Sequence, residues 1–363
     1  MTSPSRILCF AHETTWSGAP IQLFHLVRWL QSEGYEVAVA VPKPETAESG
    51  PISDELQRIG VEIFSVIDLS ARPDLAGLSE LCARFDLVVA NTLVMWAPVR
   101  AAYEAAVPVI WYIHESLVAE QLIAQIPEIH PALGLADLIV MPTHRTARLY
   151  AGWTDRPIEV VPYGIPEVQP ALTNTSSKKR NFLLLGTYEP RKGQDLFLRA
   201  IGELDAGVRD RAVFRMGGRI LDRAFHANLA REAAKYPNVH LLEALSHEEA
   251  LAANAASDVL VCSSRDETMP VAILEAMSLG KAIITASVGG VTQWLQDGVN
   301  ALLVPPEDSP ALVAALRRCI EKENLVHSLG QQARKTFRDN FSLNQLGRHF
   351  VALFERVKKE KTR

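Results

Sequence analysis

Short, continuous apolar runs alternate with longer amphipathic segments along the first half of the chain. The apolar runs at 7–11 and 37–41 predict buried strands, and the amphipathic segment at 21–30, closed by Gly34, predicts the helix between them. Runs that are apolar at every position are typical of parallel strands covered on both faces. Further strands of this kind are predicted at 61–67, 87–90, 107–113 and 138–141.

The same alternation restarts beyond a polar segment. The texture changes around 161–166, and the polar stretch 170–179 predicts an exposed linker at a domain boundary. A helix is predicted at 195–204, and an almost wholly helical tail at 309–358 with an interruption near Asn340. The strands of the second half are predicted at 182–185, 213–216, 239–242, 259–262, 282–285 and 301–304.

This alternation predicts an α/β protein with two Rossmann-like domains, each a doubly wound parallel sheet. We predict an N-terminal domain over 1–165, a C-terminal domain over 166–340 and a final helix over 341–363 that crosses back onto the first domain. Open α/β sheets bind ligands beyond the carboxyl ends of their strands, so the active site is expected in a cleft between two facing domains.

Composition adds only exclusions to this picture. The formal charge of the 363 residues is -5, which excludes a global attraction to nucleic acid or to an anionic bilayer, so local groups must meet any anionic ligand. Residues 1–6 contain no signal-peptide core, and no apolar run reaches the ~20 residues of a membrane span. A cytoplasmic protein is expected, with peripheral contact at the inner face of the membrane left open. The cysteines show no C-x-x-C spacing and are predicted to be reduced at Cys9, Cys82, Cys262 and Cys319.

The segment 264–280 contains the most informative carboxylates. A predicted strand ends just before it, and Pro270 suits the first turn of a helix that opens at the carboxyl edge of the sheet. The helix body is apolar except at Glu275 and Ser278, which predicts burial of Glu275 and a need for a partner. Glu267 precedes Glu275 by eight residues, a span of at most about 12 Å along a helix. Helix amides between the two would suit phosphates, although a capping residue and a structural ion pair are an alternative explanation.

A basic pair, Arg191 and Lys192, follows the first strand of the second half. Helix N-termini ordinarily favour acids, so two cations there indicate an anion between them and the helix ends. A phosphate is favoured over a solvated surface. Gly289 and Gly290 form a second candidate loop, either for close approach to a ligand or for a simple tight turn.

The strand ends of the first half supply the remaining candidates. His114 follows the strand at 107–113, where a site residue and a hydrogen-bonded structural histidine are both reasonable. Asn91 ends another strand and suits an acceptor or a turn. Trp16 and Gly18 lie in the first loop, whose single glycine disfavours a nicotinamide site. The other histidines show no metal-ligand spacing, so no metal is expected.

Together these residues resemble the retaining glycosyltransferases of family four, which have the GT-B fold of two facing Rossmann-like domains. Glu267 and Glu275 match the E-x7-E motif, and Lys192 with Gly193 matches the Lys-Gly phosphate motif. The segment 161–165 resembles the interdomain connector of the family, and Phe341-Ser342 resembles the start of its closing helix. The resemblance covers nearly the whole chain and is stronger in the second half.

The resemblance implies a nucleoside diphosphate sugar as donor substrate and a carbohydrate or lipid-linked acceptor, with retention of configuration and no metal or other cofactor. Glu275 would bind the ribose hydroxyls, Lys192 and Arg191 the diphosphate, and Glu267 the hydroxyls of the transferred sugar, which His114 would also face. Gly18 would leave room for the diphosphate or the acceptor. The remaining donor contacts are predicted at Thr268, Met269 and Gly290, and acceptor contacts at Trp16 and Asn91.

The chain departs from the family pattern at a basic position five residues before Lys192, where it has Thr187. Arg191 is the candidate replacement for that charge. Two other functions stay open at this point. Thr187 and the single-glycine loop favour a non-catalytic nucleotide-sugar-binding scaffold subunit, and a nucleotide-sugar epimerase of the same two-domain shape would convert the donor without an acceptor.

Overall fold

The computed structural model describes residues 5–43, 50–67, 69, 72–168 and 179–361. The chain divides into two compact units, of which the first contains 1–166 together with 342–363 and the second contains 167–341. All of the predicted linker at 170–179 except Lys179 lies outside the described residues. The expectation of a cleft between the domains stays a prediction.

The described part of the first unit contains seven strands in one parallel sheet. They are β1 (Arg6–Phe10), β2 (Glu36–Pro42), β3 (Glu62–Val66), β4 (Leu87–Asn91), β5 (Val109–Tyr112), β6 (Leu138–Met141) and β7 (Ile158–Val160). Their order is β3-β2-β1-β4-β5-β6-β7, with β1 between β2 and β4. Ile7 is in register with Val37 on one side and with Leu87 on the other.

Helices cover the sheet of the first unit on its crossover connections, as parallel strands require. They are α1 (Gly18–Ser32), α2 (Pro51–Arg58), α3 (Leu75–Cys82), α4 (Trp96–Glu104), α5 (Val118–Gln125), α6 (Ile129–Leu133) and α7 (His144–Tyr150). Leu8 and Phe10 of β1 are fully buried between these layers, in agreement with the apolar run that predicted the strand.

Two details of the first unit differ from the sequence prediction. Helix α1 begins at Gly18 rather than at residue 21, because the missing N–H of Pro20 is not needed within the first turn. Strand β7 was not predicted. It has three residues, all only partly buried at the edge of the sheet, so it lacks the apolar run that marks the other strands.

The described part of the second unit contains six parallel strands. They are β8 (Arg180–Leu185), β9 (Ala212–Gly217), β10 (Val239–Leu242), β11 (Val259–Cys262), β12 (Ala282–Ala286) and β13 (Leu302–Val304), in the order β10-β9-β8-β11-β12-β13. A 3₁₀ turn lies at Pro190–Lys192. The helices are α8 (Gln194–Glu203), α9 (Ala206–Arg209), α10 (Arg223–Ala233), α11 (His247–Ala256), α12 (Val271–Ser278), α13 (Val291–Trp294), α14 (Ser309–Glu321) and α15 (Glu323–Asn340).

The last helix, α16 (Leu343–Lys361), belongs to the first unit. The indole N–H of Trp29 on α1 donates to Asn344 Oδ1 at 2.9 Å, and a side chain at Gly347 would clash with the Trp29 ring. The Phe350 ring packs edge-on against Tyr112, with 5.0 Å between centroids. The end of the chain is therefore part of the core of the first unit. Among the described residues, no helix has both the length and the apolarity to cross a membrane.

Each sheet reverses its strand order once. The reversal lies between β1 and β4 in the first unit and between β8 and β11 in the second. Open α/β sheets bind ligands at such a reversal, beyond the carboxyl ends of the strands, so a crevice is expected there in each unit. These two switch points are where the polar candidates of the sequence analysis lie.

Candidate functional site

The loops after β8 and β11 meet at backbone contact in the second unit. The backbone N–H of Arg265 donates to the carbonyl of Arg191 at 2.8 Å, and the Ser263 hydroxyl donates to the carbonyl of Gly193 at 2.7 Å. Gly193 has φ +69°, and a Cβ there would lie 2.0 Å from the Ser263 carbonyl oxygen. Glycine is required at this position for both reasons. The two loops therefore carry their side chains into one crevice.

Lys192, Arg191 and Glu267 come together in this crevice. The Lys192 ammonium contacts Glu267 Oε1 directly, and Arg191 Nη1 lies 3.7 Å from the same oxygen. The Ser264 hydroxyl donates to that oxygen as well, at 3.2 Å. The side chains of Lys192 and Glu267 are only 18% and 10% exposed, so water screens their attraction poorly. The sequence predicted a phosphate beside the two cations. In the structure the anion beside them is the Glu267 carboxylate, and a phosphate there stays a prediction.

Thr187, at the departure from the family pattern, contributes no charge of its own. Its hydroxyl donates to Glu189 Oε1 at 2.7 Å, and the same oxygen accepts from Arg191 Nη2 at 2.8 Å. Arg191 is thus held between Glu189 and Glu267. Thr187 orients the carboxylate that orients Arg191.

Helix α12 positions Glu275, and six of its eight residues are buried. Glu275 is 6% exposed, and burial raises the pKa of its carboxyl from 4.5 to about 8. Nδ1 of His247, the first residue of α11, lies 3.8 Å from Glu275 Oε1, which is beyond hydrogen-bond distance, and burial lowers the pKa of the His247 ring, so the two neighbours do not form an ion pair at neutral pH. The sequence analysis missed His247. Its place in the loop-to-helix junction after β10 is the signal that could have found it.

The start of α12 differs in detail from the prediction. Pro270 is the N-cap residue and α12 begins at Val271, so the proline lies one position before the first turn. Pro270 offers no side-chain hydrogen bond to the helix amides. The Glu267 carboxylate accepts from Lys192 and Ser264 through Oε1, and the alternative that Asp266 or Glu267 caps α12 stays an alternative.

The double glycine packs against the loop that carries Glu267. Gly289 has φ +56°, and a Cβ on it would lie 1.5 Å from the Glu267 carbonyl oxygen. The amide of Gly290 donates to the carbonyl of Thr268 at 2.8 Å. Thr268 and Met269 are themselves buried, with 9% and 4% exposure. The glycines are therefore explained by close approach to the Glu267 loop, and donor contacts at Thr268, Met269 and Gly290 stay predictions.

In the first unit, His114 is buried and hydrogen-bonded through both ring nitrogens. Nδ1 lies 2.8 Å from the Tyr163 hydroxyl and Nε2 lies 2.7 Å from Asn91 Oδ1. Burial, with a smaller contribution from His12, lowers the pKa of His114 to about 3, so the ring is neutral at pH 7. Asn91 also donates to the Ala19 carbonyl at 3.3 Å, which connects His114 to the start of α1.

Within the described part of the chain, the loops after β1 and β4 contain buried polar atoms without hydrogen bonds. These atoms are the hydroxyls of Thr15 and Thr92 and Nδ1 of His12. Thr92 has φ 89°, which is strained for a β-branched residue, and its backbone is held by hydrogen bonds with Tyr112 and Trp111. Comparable atoms occur elsewhere, as at Gln194 and Asn254, but those of Thr15, Thr92 and His12 lie at a switch point, where open α/β sheets bind ligands, and this location marks a candidate binding surface.

Trp16 and Gly18 lie beside these atoms in sequence. The Trp16 ring packs edge-on against Phe24 of α1, with 5.1 Å between centroids. Gly18 is the first residue of α1, and a Cβ on it would meet no atom within 4 Å. Protein packing therefore does not require glycine at this position, in contrast to Gly193 and Gly289.

We expect Gly18→Ala to keep or slightly raise the melting temperature, since alanine at a compatible position restricts the unfolded chain by about 0.4–1 kcal/mol. If Gly18 leaves room for a ligand, the same variant loses turnover or ligand affinity. Gly207→Ala is the matched control, because Gly207 also lies in a helix with nothing within 4 Å of its Cβ position. Equal activity of Gly18→Ala, Gly207→Ala and the wild type would contradict the assignment of Gly18.

The two halves of the chain match two family models. Residues 3–161 match glycosyl-transferase family 4, and residues 167–336 match glycosyl transferases group 1. Among the described residues, no group of three or more His, Cys, Asp or Glu side chains is placed to hold a metal ion.

Curated relatives are similar over part of their length. The alpha-D-kanosaminyltransferase of Streptomyces kanamyceticus is 23% identical over 48% of this chain and 45% of its own. The D-inositol 3-phosphate glycosyltransferase of Geodermatophilus obscurus is 32% identical over 40% of this chain and 34% of its own. The matches therefore span less than half of either relative.

Solved structures are similar over the whole chain. The crystal structure of Anabaena HepE in complex with UDP and glucose has a TM-score of 0.83 at 17% sequence identity, covering 97% of this chain and 99% of that chain. Similarity at this identity establishes a shared fold. The fold class predicted from the sequence is thus confirmed.

Proposed function

Because the chain belongs to the family 4 glycosyltransferases, we propose that it moves a sugar from a nucleoside diphosphate sugar to a carbohydrate or lipid-linked acceptor. One observation carries the proposal. Lys192, Arg191 and Glu267 converge in the switch-point crevice of the second unit, at the edge where open α/β sheets bind ligands. Two cations and a carboxylate there suit a diphosphate next to sugar hydroxyls.

The main donor contacts are proposed in the second unit, while Gly18 and His114 of the first unit stay proposed contacts of the diphosphate and of the transferred sugar. Lys192 and Arg191 bind the diphosphate, Glu267 binds hydroxyls of the transferred sugar, and Glu275 binds the ribose hydroxyls. A carboxyl with a pKa near 8 is protonated at neutral pH, so Glu275 can donate one hydrogen bond and accept another. Either hydrogen bond is favourable in a buried position, where an ionised carboxylate would be costly.

The chemical step is proposed to depend on charge that develops on the leaving group. As the bond between the sugar and the diphosphate breaks, negative charge grows on the diphosphate oxygens. Lys192 and Arg191 are already held at the crevice, so they stabilise that charge without reorganising. Two fixed cations can serve the purpose that a metal serves elsewhere, which is why we propose metal-independent transfer. Retention of configuration by a hexosyltransferase is proposed from the family resemblance.

The acceptor is proposed to bind the first unit. Hydroxyls of a carbohydrate would satisfy the buried Thr15 and Thr92 hydroxyls, which have no hydrogen-bond partner among the described residues. His114 and Asn91 hold each other and the start of α1, so they keep this surface in one arrangement. A role of the enzyme in polysaccharide biosynthesis follows from such an acceptor. The free cysteines suit the reducing cytoplasm, where nucleotide sugars would be used.

Replacement of Glu267 by glutamine tests the function. We expect the wild type to release nucleoside diphosphate from its donor in the presence of mixed acceptors. We expect the turnover of Glu267→Gln to be at least about 100-fold slower than that of the wild type, which is the effect of losing one preorganised group in the transition state. Its affinity for nucleoside diphosphate, measured by calorimetry with UDP, GDP, ADP and dTDP, should hold or rise, because the carboxylate that competes with phosphate for Lys192 is gone.

Glu248→Gln, at an exposed position of α11, is the control and should match the wild type in both measurements. If neither the wild type nor Glu267→Gln turns over the donor although both bind it, the result would support a scaffold subunit instead. A product that forms from the donor without any acceptor would support an epimerase.

A further inference from the structure

The guanidinium group of Arg265 has no N–H left for a substrate. Nη1 and Nη2 donate in parallel to the two Asp195 carboxylate oxygens, at 2.9 and 2.8 Å. Nε contacts Glu307 Oε1, Nη1 also donates to the carbonyl of Pro190, and Nη2 reaches Glu307 Oε2 at 3.5 Å. These contacts account for all five guanidinium N–H groups. Arg265 therefore cannot act on a ligand directly.

Arg265 instead connects three segments that surround the cation pair. Asp195 lies in the first turn of α8, Pro190 lies in the turn that carries Arg191 and Lys192, and Glu307 precedes α14. The backbone N–H of Arg265 is bonded to the same turn, at the carbonyl of Arg191. Glu307 has φ 63°, an unfavourable conformation for a glutamate that the surrounding contacts must maintain.

The position of Arg265 in the chain relates these contacts to the candidate site. It lies two residues before Glu267, so one short segment carries the anchor of the Lys192 turn and the carboxylate that Lys192 contacts. Arg265 also neutralises Asp195, an acid at the N-terminus of α8 that would otherwise repel a phosphate bound near Lys192. A planar guanidinium suits this task because its fork matches a carboxylate in two parallel hydrogen bonds.

We infer that Arg265 is a positioning residue for diphosphate binding: it holds the Pro190–Lys192 turn at the distance from Glu267 that places Lys192 on the diphosphate. The inference rests on the proposed function for its ligand and on the contacts above for its geometry. It acts through Lys192 and not by contact with the substrate.

Arg265→Met tests the inference. Because misplacement of a binding group by about 1 Å can cost 10²-fold, we expect kcat/KM to fall about 100-fold and nucleoside diphosphate affinity to fall with it. Arg265→Lys should recover little, since lysine lacks the fork. In a Lys192→Met background, Arg265→Met should cause a clearly smaller further loss of nucleoside diphosphate affinity than in the wild type, because one of the two cations on the turn that it positions is already absent.

A control variant and an exchange measurement separate the positioning of the Pro190–Lys192 turn from a general loss of stability. Arg317→Met removes an exposed ion pair with Asp205 in the same unit, and should leave affinity and turnover unchanged. Amide hydrogen exchange at Lys192 and Gly193 should accelerate in Arg265→Met, because their hydrogen bonds to Glu189 and Pro190 lose their anchor.

The exchange measurement needs no ligand, so it keeps the inference separate from the proposed function. Unchanged exchange at Lys192 and Gly193 overturns the inference even if the enzyme is active. A full additional loss of affinity in the Lys192→Met background also overturns it, because Arg265 would then act independently of Lys192. A wild type that binds none of the nucleoside diphosphates overturns the proposed function, and diphosphate positioning with it.

Discussion

We expect Lys192→Met to lower the affinity for nucleoside diphosphate by about 10- to 150-fold, the equivalent of the 1.5–3 kcal/mol of a hydrogen bond to a charged group. Methionine keeps the unbranched shape of the side chain and removes only its charge and donors. Turnover should fall further than affinity, by about 10²–10³ in kcat, because the cation stabilises charge that grows as the leaving group departs. Calorimetry gives the first quantity and steady-state kinetics the second.

The chain contains a matched control for this variant. Lys235 contacts Glu232 within the second unit, but the two side chains are 59% and 51% exposed. Lys235→Met should therefore change neither affinity nor turnover, since an exposed ion pair contributes little. Equal behaviour of the two lysine variants would remove Lys192 from the donor site.

Glu275→Gln should be more stable than the wild type above pH 8, and the advantage should disappear in acid. In the folded protein the carboxyl has a pKa of about 8, against 4.5 when it is exposed. Below pH 4.5 the Glu275 carboxyl is protonated in the folded and in the unfolded state, so it contributes nothing to the pH dependence of stability. Between pH 4.5 and 8 the unfolded state releases the proton and the folded state keeps it, so the free energy of unfolding of the wild type decreases.

A shift of this size corresponds to at most about 5 kcal/mol, reached near pH 8 and constant above it. Denaturant unfolding of the wild type and Glu275→Gln at pH 5, 7 and 9 measures the difference. Glu232→Gln is a control with the opposite pH dependence. The hydrogen bond from Lys235 lowers the pKa of Glu232, so the small stabilisation of the folded state by this carboxylate is present at neutral pH and is lost only as the solution becomes acidic. Parallel stability curves for wild type and Glu275→Gln from pH 5 to 9 would show that Glu275 is not buried as described.

Strands and helices with a strong apolar pattern could be predicted from the sequence, and weakly patterned ones could not. Strand β11 and the buried helix α12 follow from an apolar run, a proline and a nearly all-apolar helix body, which are local features. Strand β7 was missed because three partly buried residues carry no such feature. His247 was not predicted because it is isolated in the sequence, and only the folded chain brings its ring to 3.8 Å from Glu275.

Local features of the chain were enough to predict the two parallel sheets and the polar residues at their strand ends. Apolar periodicity is a property of neighbouring residues, and burial selects it directly. Which of those polar residues come into contact could be read only from the folded chain. Lys192 and Glu267 are 75 positions apart, and they touch because β8 and β11 are neighbours at the switch point. Strand order and loop contact depend on the packing of the whole unit, so Arg265 acquires its role only once the chain is folded.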